Sequence, residues 1–256
     1  MSELLLLLAG LFLPLFPLSM VFNEVFQRIR VASLRVALLV IWPQIGVALV
    51  LAAGIDIPAW VGFWALFTAL LYGFRALALR EVGLWTGFIA TSAWAVLWLV
   101  MGSTVEGQAE WFQQASYALA LSAPLALLAL LGGELEKRFG AAYTGLYGGL
   151  ALSQPRLSGV LVFVVLAIVA TPFSPGFSVM MTAIIESSMH SFFVAVTVAM
   201  IWLLWSWAGA RLLQGIIVGP AQEKAKADLS INSTWVYVLI LILLVVSGIY
   251  SIGNLG

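Results

Sequence analysis

The run from Leu157 to Thr171 holds no charged residue, and the sequence Pro172-Phe173-Ser174-Pro175-Gly176 stops it before a second apolar run opens at Phe177. In water such a run aggregates, whereas in hydrocarbon it satisfies its own backbone by closing into a helix. Each proline lacks an amide hydrogen and biases the preceding residue away from helix, and Gly176 is expected to let the chain turn back at once. The segment Tyr147 to Ser178 therefore predicts a glycine turn, a proline-started helix, a break at Pro172, Pro175 and Gly176, and a second helix.

The rest of the chain repeats the pattern. Of 256 residues 63% are hydrophobic and 9% charged, against about 25% charged in an average soluble domain. The expectation is an all-α, polytopic transmembrane bundle. Eleven basic residues are scattered and the net charge is zero, which excludes a nucleic-acid footprint. The chain has no cysteine and one histidine, which removes thiol chemistry and argues against a histidine-ligated haem or zinc site. No cofactor, no metal and no catalytic chemistry of its own are expected. The first residues, MSELLLLLAGLFLPLFPLSMVF, carry an acidic Glu3 where a signal peptide is basic, and they read as a retained helix.

Nine apolar runs fit membrane helices: Glu3 to Phe22, Val31 to Gly54, Trp60 to Leu79, Leu84 to Met101, Ala115 to Gly133, Leu157 to Thr171, Phe177 to Ser191, Phe192 to Val218, and a last one ending near Ser251. The fifth should kink near Pro124. Residues 1–59 read as a divergent front end and 60–256 as the main bundle. Odd-numbered connectors carry Arg28, Arg30, Arg35, Arg80, Lys137, Arg138 and Arg156, and the opposite face carries Arg211, Lys224 and Lys226. The positive-inside rule thus puts the first connector in the cytoplasm.

From the third helix onward three stretches stand in a telling order: YGGLALSQP, then VLAIVATPFSPGF, then WAGARLLQGIIVGPA. Upstream lie LLYGFRALALREVGLWTGFIATSAW and the helix end Leu130 to Arg138. The ordered set resembles the antiporter-like, proton-conducting subunits of respiratory complex I and of Mrp-type cation/proton antiporters. The resemblance covers about two thirds of this chain and implies the carboxy-terminal part of a longer subunit working inside a multi-subunit complex. It also implies that the loop after the eighth helix is cytoplasmic, against the charge count.

Proton transfer inside a membrane needs ionisable groups there, because a charge in hydrocarbon is costly and is kept for function. The resemblance places a lysine of the family at or near Gly83, with Glu81 in place of the preceding aspartate. It places a histidine within Tyr117 to Ser122, where none occurs, and a lysine or glutamate at Met180. Three usual stations are missing. Glu186 and His190, one helical turn apart with Ser187 and Ser188 beside them, form a substitute relay or else a polar helix end. Glu81 is a relay candidate or a helix-end charge. Arg75 and Arg211 either tune an ionisable group, bind an anionic headgroup, or snorkel onto tryptophan.

Asn23, Glu24, Gln27 and Arg28 form the polar face of a short connector, and the eleven tryptophans suggest an aromatic belt. Asn232-Ser233-Thr234 is too close to the last helix to be read as a glycosylation site, and Gly145, Gly148 and Gly149 make a loop without the residues of a phosphate loop. The expected function is a shortened antiporter-like subunit in a bacterial inner membrane. It would support or dock a full-length proton-conducting subunit of a complex I-like, hydrogenase-like, Mrp-type or inorganic-carbon uptake system. A purely structural subunit and a stand-alone secondary transporter remain as alternatives, the latter without a detectable inverted repeat. The expected partners are other membrane subunits, including a full-length antiporter-like one, and the lipid bilayer.

Overall fold

A computed structural model of the chain describes residues 2–54, 57–101, 108–145, 148–220 and 227–253, the side chains at 108–110 and 190 excepted. Lys224, Lys226 and the imidazole of His190 therefore lie outside the described residues. Among the described residues eleven helices follow one another: α1 Ser2–Phe12, α2 Ser19–Arg28, α3 Ala32–Ala53, α4 Ala59–Ala76, α5 Val82–Val100, α6 Gln108–Phe139, α7 Leu150–Ser153, α8 Pro155–Ile168, α9 Pro175–His190, α10 Phe192–Ile217 and α11 Ile231–Gly253. Among the described residues there is no strand, only an isolated bridge between Glu81 and Tyr143. Six helices, α3, α4, most of α6, and α5, α10 and α11, are long and apolar enough to cross a bilayer singly. The protein is a multi-pass integral membrane helix bundle.

The connectors show which ends of the helices lie together. Val82 N donates to Ala142 O at 2.9 Å and Thr144 N to Arg80 O at 2.7 Å, tying the α4–α5 link to the stretch after α6. Gly145 N donates to Gly215 O at 2.8 Å, so α10 ends at the same level. Asp228 accepts from the amides of Arg156 at 2.9 Å and Leu157 at 3.1 Å, capping α8 from the link into α11. Arg35, in the first turn of α3, pairs with Glu136 near the end of α6 at 3.3 Å.

Two differences from the nine expected runs follow. The first run is two helices, α1 and α2, separated at residues 13–18. And α9 does not turn back. Val165 and Val169 pack on Gly209, Val169 O accepts from Trp202 Nε1, and Phe177 meets the Trp202 ring at 5.6 Å. Moving from 165 to 177 therefore moves from 209 to 202 along α10, away from the end where α10 finishes. α8 and α9 run the same way and form one interrupted passage, because the reversal that Gly176 was expected to supply is absent: Gly176 sits inside the first turn of α9. The positive φ angles fall on Ala170 (55°) and Phe173 (74°), which offset the axis without reversing it. α1 lies along α3 and α2 along α5, making a second interrupted passage. Among the described residues six single and two interrupted passages make eight.

One passage fewer changes the charge map. All nine described basic residues, Arg28, Arg30, Arg35, Arg75, Arg80, Lys137, Arg138, Arg156 and Arg211, stand at one end of the bundle. The apparent opposition of Arg211 to the odd connectors came from counting α8 and α9 as two crossings. α5 sits at the centre, with only Gly83, Leu84 and Leu99 short of full burial. Helix α6 remains helical through Pro124 and reaches Phe139, taking in part of what reads as a connector.

Candidate functional site: the two interrupted helices

A helix broken within hydrocarbon exposes backbone groups that no water can meet, each costing several kcal/mol if left unpaired. At the first break the freed carbonyls are met by indoles. Trp42 Nε1 donates to Leu11 O at 3.2 Å, Trp98 Nε1 to Leu13 O at 3.0 Å, and Trp64 Nε1 to Phe16 O. Phe16 N donates to Thr68 Oγ1 at 3.0 Å, and that hydroxyl donates onward to Trp64 O at 2.8 Å. Immediately below, Ser19 Oγ donates to Tyr72 OH at 2.9 Å, and Asn23 Nδ2 donates to Ser19 O and Thr91 Oγ1, both at 2.9 Å.

The second break is closed in the same manner. Trp202 Nε1 donates to Val169 O at 2.9 Å, Thr171 Oγ1 to Leu166 O at 2.7 Å, and Ser174 Oγ to Thr171 O at 2.7 Å. Pro172 lies in the turn, and Pro175 opens α9 at its first helical position after an extended Ser174. Met180 is wholly buried beyond it. Tryptophan at both breaks thus acts as an internal hydrogen-bond donor, a role that an aromatic belt does not require. Trp94 to Ser122 at 2.9 Å and Trp205 to Ser92 at 2.8 Å add two more buried indole bonds. Sequence reasoning missed this because spacing alone does not say which carbonyl an indole reaches.

The sequence-chosen ionisable residues are not brought together. Glu186 is half-buried on α9 beyond the break, with Ser187 buried and Ser188 exposed beside it. Glu81 is at the opposite, basic end, in the N-cap position of α5, where Tyr143 OH donates to its Oε2 at 3.2 Å. The Glu81 carboxylate, by its charge and then by that hydrogen bond, holds the Tyr143 phenol above its ordinary value of 10.0. Arg75 is exposed and lies over the Phe88 ring at 5.1 Å. Arg211 is exposed and makes no ion pair or ring contact among the described residues. Among the described side chains, Arg35 is the one charged group that is fully buried.

Arg35 is the residue that sequence reasoning passed over. Its Nε donates to Ile29 O at 2.7 Å, its guanidinium stacks on Phe26 at 5.5 Å, and it borders a polar cleft of about 290 Å³ with Glu81, Glu136 and Tyr143. A methyl group on Gly83 would stand 3.2 Å from Arg35 Nη1. At the place where the family resemblance calls for a lysine, a cation does lie close by, delivered from α3. An arginine one turn into an apolar run was the available signal.

No family profile and no curated protein sequence matches this chain. Solved structures do. A chain of respiratory complex I from Thermus thermophilus with bound NADH superposes with TM-score 0.81 at 21% identity, covering 96% of this chain and 54% of that one. The fold is shared with complex I. A chain of the Mrp complex from Dietzia sp. DQ12-45-1b gives 0.85 at 13% identity, over 99% of this chain and 57% of the other. A chain of the membrane-bound sulfane sulfur reductase, an archaeal respiratory membrane complex, gives 0.80 at 17%, over 96% and 52%. The protein spans about half the length of each, and its fold is that of the antiporter-like membrane subunits.

The residues that carried the resemblance now have a physical role. Gly148 and Gly149 pack backbone to backbone on Val218, Gly219 and Pro220: a methyl group on Gly148 would lie 3.0 Å from Val218 O, and one on Gly149 would collide with Pro220 O. Gly149 also holds a φ of 80°, which a side chain resists. Together with Asp228 and with Arg138 Nε, which donates to Ala227 O at 3.2 Å, they pin the α6–α8 link to the α10–α11 link. What this chain keeps in recognisable form is a fastening of the basic end.

Proposed function

We propose that this protein is a shortened antiporter-like subunit of a proton-translocating or proton-motive-force-driven membrane complex, in which it supports or docks a full-length proton-conducting subunit. One observation carries the reading: a fold used in three multi-subunit membrane complexes encloses an interior in which both helix breaks are closed by indoles and hydroxyls, with Met180 buried beyond the second. A conducting interior needs groups that gain and lose protons, and hydroxyls and indoles do neither near neutral pH. The host is a complex I-like, hydrogenase-like, Mrp-type or inorganic-carbon uptake assembly of a bacterial inner membrane. Residues 60–256 supply the antiporter-like part, and residues 1–59 share the fold with a more divergent sequence.

The basic end faces the cytoplasm in this reading, since all nine described arginines and lysines gather there. The test of the subunit role is purification of the tagged chain from its native membranes in a mild detergent, with mass measurement. Recovery with a full-length antiporter-like subunit is expected, and recovery as a stable solitary monomer contradicts the role. A second reading keeps a short relay through Glu186 and His190, motivated by the half-burial of Glu186 beyond the break. Unchanged flux through the host complex with Glu186→Gln and with His190→Ala would end that reading.

A further inference from the structure

Arg35 has more hydrogen-bonding capacity than its neighbours use. Its side chain is 8% exposed, and it spends Nε on Ile29 O at 2.7 Å and one hydrogen of Nη1 on Glu136 Oε1 at 3.3 Å. Its Nη2 makes no hydrogen bond among the described residues. A guanidinium this deep is costly unless its remaining N–H groups are met. Arg35 lines the polar cleft of about 290 Å³, together with Gln27, Arg30, Glu81, Glu136 and Tyr143. Arg30 is exposed there and makes no ion pair among the described residues. On the acidic side, Glu81 accepts from Tyr143 OH on Oε2, and Glu136 accepts from Arg35 on Oε1. The second oxygen of each carboxylate has no partner among the described residues. The cleft thus presents unspent donors of two cations beside unspent acceptors of two anions.

Its place in the bundle is equally specific. Leu34, Ile41 and Ile45 are exposed and share one face of α3, a helix long and apolar enough to cross a bilayer. Arg35 follows Leu34, one turn into that helix, at the shoulder between this lipid-exposed face and the buried one. The cleft therefore stands beside hydrocarbon-exposed surface, at the depth where the hydrocarbon core gives way to headgroups.

We infer that this cleft holds the phosphoethanolamine headgroup of one phosphatidylethanolamine molecule, whose acyl chains run along the exposed face of α3. The phosphate oxygens accept from Arg35 Nη2 and from Arg30, and the ammonium donates to the free oxygens of Glu81 and Glu136. A lone phosphate or an anionic headgroup is repelled by the two carboxylates as it is drawn by the two guanidinium groups. A choline headgroup carries both charges but has no N–H to donate. The site does not depend on which complex hosts the chain.

The test is native mass spectrometry of the full chain in detergent, with palmitoyl-oleoyl phosphatidylethanolamine, phosphatidylcholine and phosphatidylglycerol added in equal amounts. One phosphatidylethanolamine should be retained, several-fold above either competitor. Arg30→Gln, exposed and unpaired, should lower that adduct several-fold, as should Arg35→Gln, with a circular-dichroism melting curve showing that the latter still folds. Glu81→Gln should narrow the preference for phosphatidylethanolamine over phosphatidylcholine. Arg211→Gln, at the same end of the bundle and outside the cleft, should leave the adduct unchanged. Equal retention of the three lipids overturns the inference, as does an adduct undiminished in Arg30→Gln and in folded Arg35→Gln. No lipid adduct, the result if water or a partner polypeptide fills the cleft, overturns it as well. Free phosphoethanolamine retained as well as the lipid overturns the lipid as its source.

Discussion

Replacing Trp202 with phenylalanine isolates the closure of the second break. The change keeps an aromatic ring against Phe177, now 5.6 Å away, and removes one donor, the Nε1 that meets Val169 O at 2.9 Å. Val169 is buried, so its carbonyl is left without that partner in a place water does not reach. An orphaned buried carbonyl costs about 1 to 3 kcal/mol. Measured hydrogen bonds between membrane helices average nearer 0.6 kcal/mol and reach about 1.7, because the unfolded chain in lipid finds other partners. The smaller ring adds a loss of packing of the order of 1 kcal/mol. A net loss of roughly 1.5 to 3 kcal/mol is the expectation, read as the shift in reversible unfolding by denaturing detergent in mixed micelles. Trp207, exposed and without a hydrogen bond among the described residues, is the control, and Trp207→Phe should fall within about 0.5 kcal/mol of the parent. If folded Trp202→Phe is as stable as Trp207→Phe, indoles do not close the breaks and the reasoning fails.

Three further outcomes follow from the basic end. Gly149→Ala combines a strained positive φ with a collision at Pro220 O, and should cost at least about 2 kcal/mol of stability in the same assay. Asp228→Ala removes the cap from α8 and should cost about 1 to 2 kcal/mol, with amide exchange speeding first at Leu157 and its neighbours. Tyr143 ionises above its ordinary value of 10.0, so the contribution of its contact with Glu81 is present below pH 10 and is lost as pH rises through the elevated value. Absorbance titration at the phenolate band should show one tyrosine moving to lower pH in Glu81→Gln.

The sequence made the class of fold plain, since apolar runs of membrane length with almost no charge leave few alternatives to a helix bundle. The order of short motifs went further and pointed to the antiporter-like fold. Direction was the part that could not be read. Pro172 and Pro175 announce a break, but whether the chain reverses afterwards depends on the φ values of Ala170 and Phe173 and on packing against α10. Counting that break as a reversal put Arg211 on the wrong face. The same limit split the first run, where Pro14 and Pro17 sit inside leucine and phenylalanine that hydropathy alone joins into one helix. Arg35 stayed hidden because its meaning comes from Gly83 and Glu136, 48 and 101 positions away in the chain. The resemblance marked places at Gly83, within Tyr117 to Ser122 and at Met180 where its lysine, histidine and lysine or glutamate do not occur, whereas the indoles that close the two breaks could not be read from the sequence.

A subunit that supports or docks a conducting partner does not by itself carry protons across a membrane. Purified protein reconstituted alone into liposomes loaded with a pH-sensitive dye, and challenged with a potassium diffusion potential, measures this directly. No proton entry above that of empty liposomes is the predicted result, with a conducting antiporter-like subunit as the positive control. Entry well above the empty liposomes, abolished by Glu186→Gln, would contradict the account.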